Sequence, residues 1–258
     1  MIADTLAALA ERAALPLDHM IWLMLIAFGA GVVRGFSGFA MSALVMAAST
    51  AILPPVALIP VLWWMEMAAS LLMVRGGIRE ADRGIVLGLA AGTLIGTPIG
   101  LAITTRVPVE HSALIALALI VVLAATQLAR IRLTFLATRA GLVGSGLMAG
   151  IATGLASVGG MVVALYVLAR EAPARRMRAS LVLYLFVSSL GSAVYLALYG
   201  LWTAEVMTRA ALLVPPAALG VIAGQRAFIP ALERYYRPFC LLLLIGLAGG
   251  GLAKRVAL

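Results

Sequence analysis

Eight stretches of the chain are almost wholly apolar, and most run for about 20 residues: 20–53, 54–74, 84–103, 107–128, 140–169, 180–200, 206–224 and 237–253. An α-helix of about 20 residues crosses the hydrocarbon core of a bilayer. Inside lipid every backbone N–H and C=O needs a partner within the protein, so the choice is between helices and closed barrels. Long runs rich in Leu, Ala, Met and Gly select helices. Only 11% of the residues are charged, against about 25% in a soluble domain. The reading is an all-α polytopic membrane protein.

The formal net charge is +9, a balance that nucleic-acid binding would also produce. The placement of the arginines argues for a lipid bilayer as the partner and against nucleic acid. They cluster in short linkers between apolar runs: Arg75, Arg79 and Arg83; Arg130, Arg132 and Arg139; Arg170, Arg175, Arg176 and Arg178; Arg226, Arg234 and Arg237. The stretches 104–111 and 201–209 hold one each, Arg106 and Arg209. By the positive-inside bias the four basic linkers are cytoplasmic. A single cysteine, Cys240, leaves no intrachain disulfide. Residues 1–19 carry Asp4, Glu11 and Asp18 against Arg12. They form an N-terminal surface segment, with a short helix from Thr5 to Leu15, and not a secretory signal.

The second half echoes the first. Gly31 and Gly35 align with Gly150 and Gly154, Pro54 with Pro173, Gly96 and Gly100 with Gly220 and Gly224, and Pro108 with Pro230. Repeat 1 is therefore 20–128 and repeat 2 is 140–258, joined by the cytoplasmic linker 129–139. The first segment of repeat 1, 20–53, is too long for one span and too short for two, and its partner in repeat 2 is 140–169. Each is broken by glycine, at Gly35–Gly38 and around Gly154–Gly160, where helix is weakened. A hairpin of two half-helices with a glycine-rich tip is expected at 20–53 and at 140–169. If each hairpin returns to its own side, all four basic linkers share one side. Each repeat then adds three crossings, an odd number, so the second is inverted relative to the first. Inverted repeats with broken helices near the midplane are a transporter architecture. Both termini fall outside.

Arg34 is a charge inside the first apolar segment, beside the break. It is either an anion ligand or half of a structural ion pair, since intramembrane charges face a partner or a water path. As a ligand it would act with Gly35, Ser37 and Gly38 on one tip and Gly154, Ser157, Gly159 and Gly160 on the other. Exposed N–H groups and helix N-termini there favour an anion. Glu66, the one acid well inside a span, is a proton-coupling carboxylate or the standing counter-ion of Arg34. Arg178 would reach the second tip, or closes a positive-inside cluster. Trp63 and Trp64 read as interfacial or packing residues, and Ser188, Ser189 and Ser192 as aids to helix packing. Gly92, Gly96 and Gly100, and Gly220 with Gly224, read as packing faces. His19 and His111 are far apart in sequence, and no metal-ligand or phosphate-loop motif occurs. No cofactor and no catalysis are expected.

At its broken segments the chain resembles the sulfite exporter TauE/SafE family. The similarity lies in Gly31-Val-Val-Arg-Gly-Phe-Ser-Gly-Phe-Ala-Met41, in Gly150-x₃-Gly154-Leu-x₂-Val-Gly-Gly160, in Leu165–Arg170, and in Arg178-Ala-x-Leu-x₂-Tyr184-x-Phe186. It runs over nearly the whole chain through the duplicated layout, and it brings Tyr184 into the candidate site. Two positions depart from the family pattern. Arg34 stands where Gln is common, and Met161 and Val162 where prolines are common. The resemblance implies a bacterial inner-membrane exporter of sulfite or organosulfonates, driven by protons or potential.

The expectation is a secondary transporter exporting a small anion by alternating access, with the solute between the two tips. The alternatives are an anion channel or facilitator, or a carrier for a small organic carboxylate. An intramembrane enzyme lacks a nucleophile–base pair. A role as one subunit of a larger complex, and a homodimer, stay open.

Overall fold

A computed structural model describes residues 12–74, 80–131, 138–169, 174–227 and 233–256. The described residues form ten helices and no strand. In chain order these are α1 Leu17–Ser37, α2 Met41–Ser49, α3 Pro55–Val74, α4 Arg83–Arg106, α5 Val109–Leu128, α6 Arg139–Ala156, α7 Gly159–Ala169, α8 Ala174–Leu198, α9 Ala204–Arg226 and α10 Glu233–Val256. Seven of them are long and apolar enough to cross a membrane: α1, α3, α4, α5, α8, α9 and α10. Side chains take over where the first turns lack partners. Asp82 caps α4 at Ile85 N–H (3.2 Å), Thr138 caps α6 at Gly141 N–H (3.0 Å), and Thr203 caps α9 at Val206 N–H (3.2 Å). Large apolar side chains, among them Trp22, Leu87, Ile95, Val122 and Leu219, are about 60% exposed. An outer surface of this kind belongs in lipid.

The hairpin arms are unequal. The first arms, α1 and α6, have 21 and 18 residues, and only the second arms, α2 and α7, are short, with 9 and 11. The breaks fall at the far end of the first glycine-marked stretch and inside the second. Gly35 is still helical, and α1 ends at Gly38 (φ 81°), whose N–H closes on Arg34 O. Ala40 (φ 76°) then starts α2, and Ser157 (φ 57°) separates α6 from α7. Gly35 and Gly154 do not turn the chain. They lack a Cβ because another backbone occupies its place.

Those contacts define the architecture. A Cβ on Gly96 would lie 2.1 Å from Leu147 O, and one on Gly150 would lie 2.4 Å from Thr93 O. A Cβ on Gly35 would lie 2.3 Å from Val221 O, and one on Gly224 would lie 2.1 Å from Val32 O. Along each seam the contacts advance together, Gly92 with Val143, Gly96 with Leu147 and Gly100 with Ile151. So α4 runs parallel to α6, and α9 runs parallel to α1. Where the surroundings are as apolar as the side chains, close packing of small residues is what holds helices together. Each seam joins the first arm of one hairpin to a spanning helix of the other half.

The second hairpin is not confined to the middle of the bundle. Gly154 packs against Leu101, and Thr104 Oγ1 donates to Gly154 O at 2.8 Å. The tip of this hairpin therefore lies beside the last turns of α4. The short arms behind the tips are deeply buried: every residue of α2 except Ala48 is buried, and Met161, Val163, Ala164 and Tyr166 of α7 are each about 1% exposed. Irregular backbone at membrane depth is tolerated when protein surrounds it.

The helix ends sort into two groups. Arg176 Nη2 meets Asp82 Oδ2 at 3.1 Å, which joins the start of α8 to the start of α4. The parallel seam brings the start of α6 to the same end. At the opposite end Arg209 Nε donates to Ala13 O (2.9 Å), and Arg255 Nη2 donates to Thr50 O (2.6 Å). The helix ends that flank the four basic linkers thus share one end of the protein.

Candidate functional site

The charge next to the first break is not free. Arg34 is fully buried, with Nη2 3.1 Å from Glu66 Oε2, 3.3 Å from Ser70 Oγ, and Nη1 bonded to Gly38 O. Three elements make this knot. α1 delivers Arg34 in its last turn, α3 delivers Glu66 and Ser70 one turn apart, and the left-handed Gly38 turns its carbonyl back onto the guanidinium. Of the two readings of Arg34 and Glu66, the ion pair is the arrangement present.

The other oxygen of Glu66 closes a helix end. Oε1 accepts from Ser42 Oγ at 2.7 Å and from Ser42 N–H at 3.4 Å. No side chain within α2 caps its start. The carboxylate therefore supplies the negative group that a helix N-terminus favours.

A pocket enclosing about 680 Å³ of empty space, its open mouth included, lies between the halves. That size suits a small-molecule site. It touches the starts of both short arms: Ala40 and Ser42 at α2, and Ser157, Gly159 and Gly160 at α7. Glu66 and Trp63 line it from α3, Thr97 from α4, Gly154 and Thr153 from α6, and Ser188, Ser189 and Ser192 from α8.

The two starts differ. At the offset that pairs Gly35 with Gly154 and Pro54 with Pro173, Glu66 corresponds to Leu185 and Arg34 to Thr153. The second half thus has no carboxylate at the matching place. The N–H groups of a first helical turn have no partner inside the helix. At α7, Val158 N–H goes to Ala152 O and Met161 N–H to Val158 O. The amides of Gly159 and Gly160 belong to residues that line the pocket.

The expected site residues divide accordingly. Glu66, Gly154, Ser157, Gly159 and Gly160 meet at the pocket. Arg34, Gly35, Ser37 and Gly38 do not line it. Gly35 is filled by α9, and Ser37 Oγ serves its own turn, bonded to Val33 O at 2.7 Å. Tyr184 is buried away from it, with its hydroxyl 2.9 Å from Thr93 Oγ1. Arg178 lies on α8 with its side chain outside the described residues. Residues that the sequence suggested only for packing also line the pocket: Trp63, Ser188, Ser189 and Ser192. Thr97 and Thr153 were not singled out by their sequence context at all. Trp63 Nε1 donates to Ser189 O at 2.7 Å, and its ring packs edge-on to Trp64 and Trp202 with centroids at 4.8 and 5.1 Å. Among the described residues no group of three or more His, Cys, Asp or Glu is placed to hold a metal.

A polytopic helical bundle with paired broken helices around a hydroxyl-lined pocket defines a membrane transporter class. The chain matches the family model described as sulfite exporter TauE/SafE over residues 23–250, and it belongs to that family. The family is one of membrane transporters for sulfite and related anions, not of enzymes. No curated protein and no solved structure matches the chain.

Proposed function

We propose that the protein is a secondary transporter that exports a small oxyanion, sulfite or an organosulfonate, by alternating access. The anion is held at the start of α7, by the Gly159 and Gly160 amides and the Ser157 hydroxyl. The observation that carries this reading is the unequal occupancy of two corresponding helix starts. Glu66 covers α2, and among the described residues nothing negative covers α7 where it opens into the pocket. Arg34 contributes indirectly, by holding Glu66 on α2.

The glycine seams support a pair of inverted repeats, because α1 on α9 and α6 on α4 are counterparts under exchange of the halves. Alternating access is then a rocking of one half against the other around the pocket. With the basic end cytoplasmic, both Ala13 and Arg255 sit at the outer end. An inside-negative potential drives anion efflux by about 2.3 kcal/mol per charge per 100 mV.

The test uses counterflow of radiolabelled sulfite in vesicles containing the purified chain. Ser157→Asp places a carboxylate at the start of α7, where it competes with the solute, and Asn differs from it only in charge. Both residue types tolerate the left-handed backbone found at Ser157. Ser157→Asp abolishes counterflow and Ser157→Asn retains most of it. Equal transport by the two variants would remove the anion from this helix end.

A further inference from the structure

The pocket is built for more than a negative charge. Among the described residues Glu66 is the one charged side chain that lines it, and it is an acid. A carboxylate has about four acceptor positions. Arg34 Nη2, Ser42 Oγ and Ser42 N–H account for three. The hydroxyls around the wall are also turned the same way. Thr97 Oγ1 donates to Thr93 O (2.8 Å), Thr153 Oγ1 to Ala149 O (2.8 Å), Ser189 Oγ to Leu185 O (2.7 Å) and Ser192 Oγ to Ser188 O (2.9 Å). With their protons given to backbone carbonyls, these groups have lone pairs left for the cavity. Trp63 lines the same wall, and with its N–H committed to Ser189 O what it offers a solute is its π system. Lone pairs, a carboxylate and an indole are the partners of a hydrogen-rich cation.

We propose that the Glu66–Trp63 wall is an ammonium subsite, so that the solute is a small zwitterion with its anionic group at the start of α7. This rests on the transport reading above and sets the solute class as amino-substituted sulfonates, with amino-substituted carboxylates as the other anion the same helix start would take. A simple dianion would share the cavity with Glu66. A zwitterion instead sets its positive end against that carboxylate and its negative end against the uncovered helix start.

The experiment measures binding to the full chain in lipid nanodiscs with probes matched except for the ammonium group. 2-Aminoethanesulfonate is compared with ethanesulfonate, and 3-aminopropanoate with propanoate. The amino member of at least one pair binds about tenfold tighter or more, the scale of a desolvated cation–π contact reinforced by a carboxylate. Which pair does so distinguishes sulfonate from carboxylate. Glu66→Gln made together with Arg34→Gln keeps the buried pair neutral and brings the two members within about twofold. Trp63→Leu leaves the ion pair in place and reduces the preference severalfold. Equal or tighter binding of the amine-free probes overturns the proposal, as does a preference that survives the double substitution. If no probe binds while sulfite still exchanges across vesicles, the ammonium subsite is refuted and the transport reading stands. If sulfite exchange is also lost, both fall.

Discussion

Arg34→Gln is the most informative single perturbation, because it separates a solute ligand from a structural partner. The substitution strands Glu66, whose side chain is 12% exposed. Removing one member of a buried ion pair costs about 3–5 kcal/mol, mostly through the charge left behind. Glu66 keeps both donors of Ser42, which places Arg34→Gln near the lower bound, about 3 kcal/mol. Glu66→Gln leaves the fully buried guanidinium without a counter-charge, held by neutral acceptors only, which places it near the upper bound, about 5 kcal/mol. In a chain of this size that corresponds to a fall in melting temperature on the order of 10 °C or more. The double variant buries two neutral amides that hydrogen-bond each other, and it recovers about 2 kcal/mol or more relative to the sum of the singles. Thermal unfolding of the four proteins in nanodiscs, followed by tryptophan fluorescence, closes this cycle. Sulfite counterflow runs in parallel, and the double variant recovers it relative to Arg34→Gln. The reasoning is refuted if Arg34→Gln melts with the wild type, or if the double variant is no better than the worse single. Recovered stability without recovered counterflow would return Arg34 to the solute site.

Three further outcomes follow from the geometry. Gly96→Val drives a side chain into Leu147 O, so the purified protein loses thermal stability or fails to accumulate, whereas Gly144→Ala, with open space around it, is stabilising by about 0.5–1 kcal/mol in the same melt. Asp82→Ala removes the α4 cap and the largely exposed contact to Arg176, and lowers stability by about 1–2 kcal/mol, most of it from the cap. In a Cys240→Ala background, Ala227→Cys reacts with an impermeant thiol reagent only from the cytoplasmic side and Glu110→Cys only from the outside; labelling of both from one side contradicts the topology.

The spanning helices were legible because a run of about 20 apolar residues has few other fates. The shared basic end was legible because arginine clusters are counted one linker at a time. The glycine correspondences also held a contact map: Gly31 and Gly35 lie against the helix carrying Gly220 and Gly224, and Gly150 and Gly154 against the one carrying Gly96 and Gly100. A missing Cβ marks a turn or a close approach alike. The sequence could not say which, and Gly35 and Gly154, read as the near edges of the broken stretches, are contact points. The breaks use Gly38, Ala40 and Ser157 at positive φ; Gly38 and Ser157 lie inside the stretches marked as broken, and Ala40, just beyond the first, carries no turn signal. The pocket serines resemble any serine that bonds back to its own helix. Only the position of α8 beside α3 and α4 shows which of them face an opening.

The seam between α1 and α9 has a consequence for how the protein is made. α1 enters the membrane first among the spanning helices, and its partner surface lies beyond residue 204. At about 5–20 residues per second, roughly 10–40 s pass before that surface emerges. Through this interval the small-residue face of α1 meets lipid or whatever insertion machinery shelters it. Arg34 has an earlier companion, since Glu66 arrives on α3, the next helix after the first hairpin. The charge is thereby neutralised long before the helix is docked. A chain cut between the halves would keep that ion pair and lose both seams, and neither fragment would hold together alone.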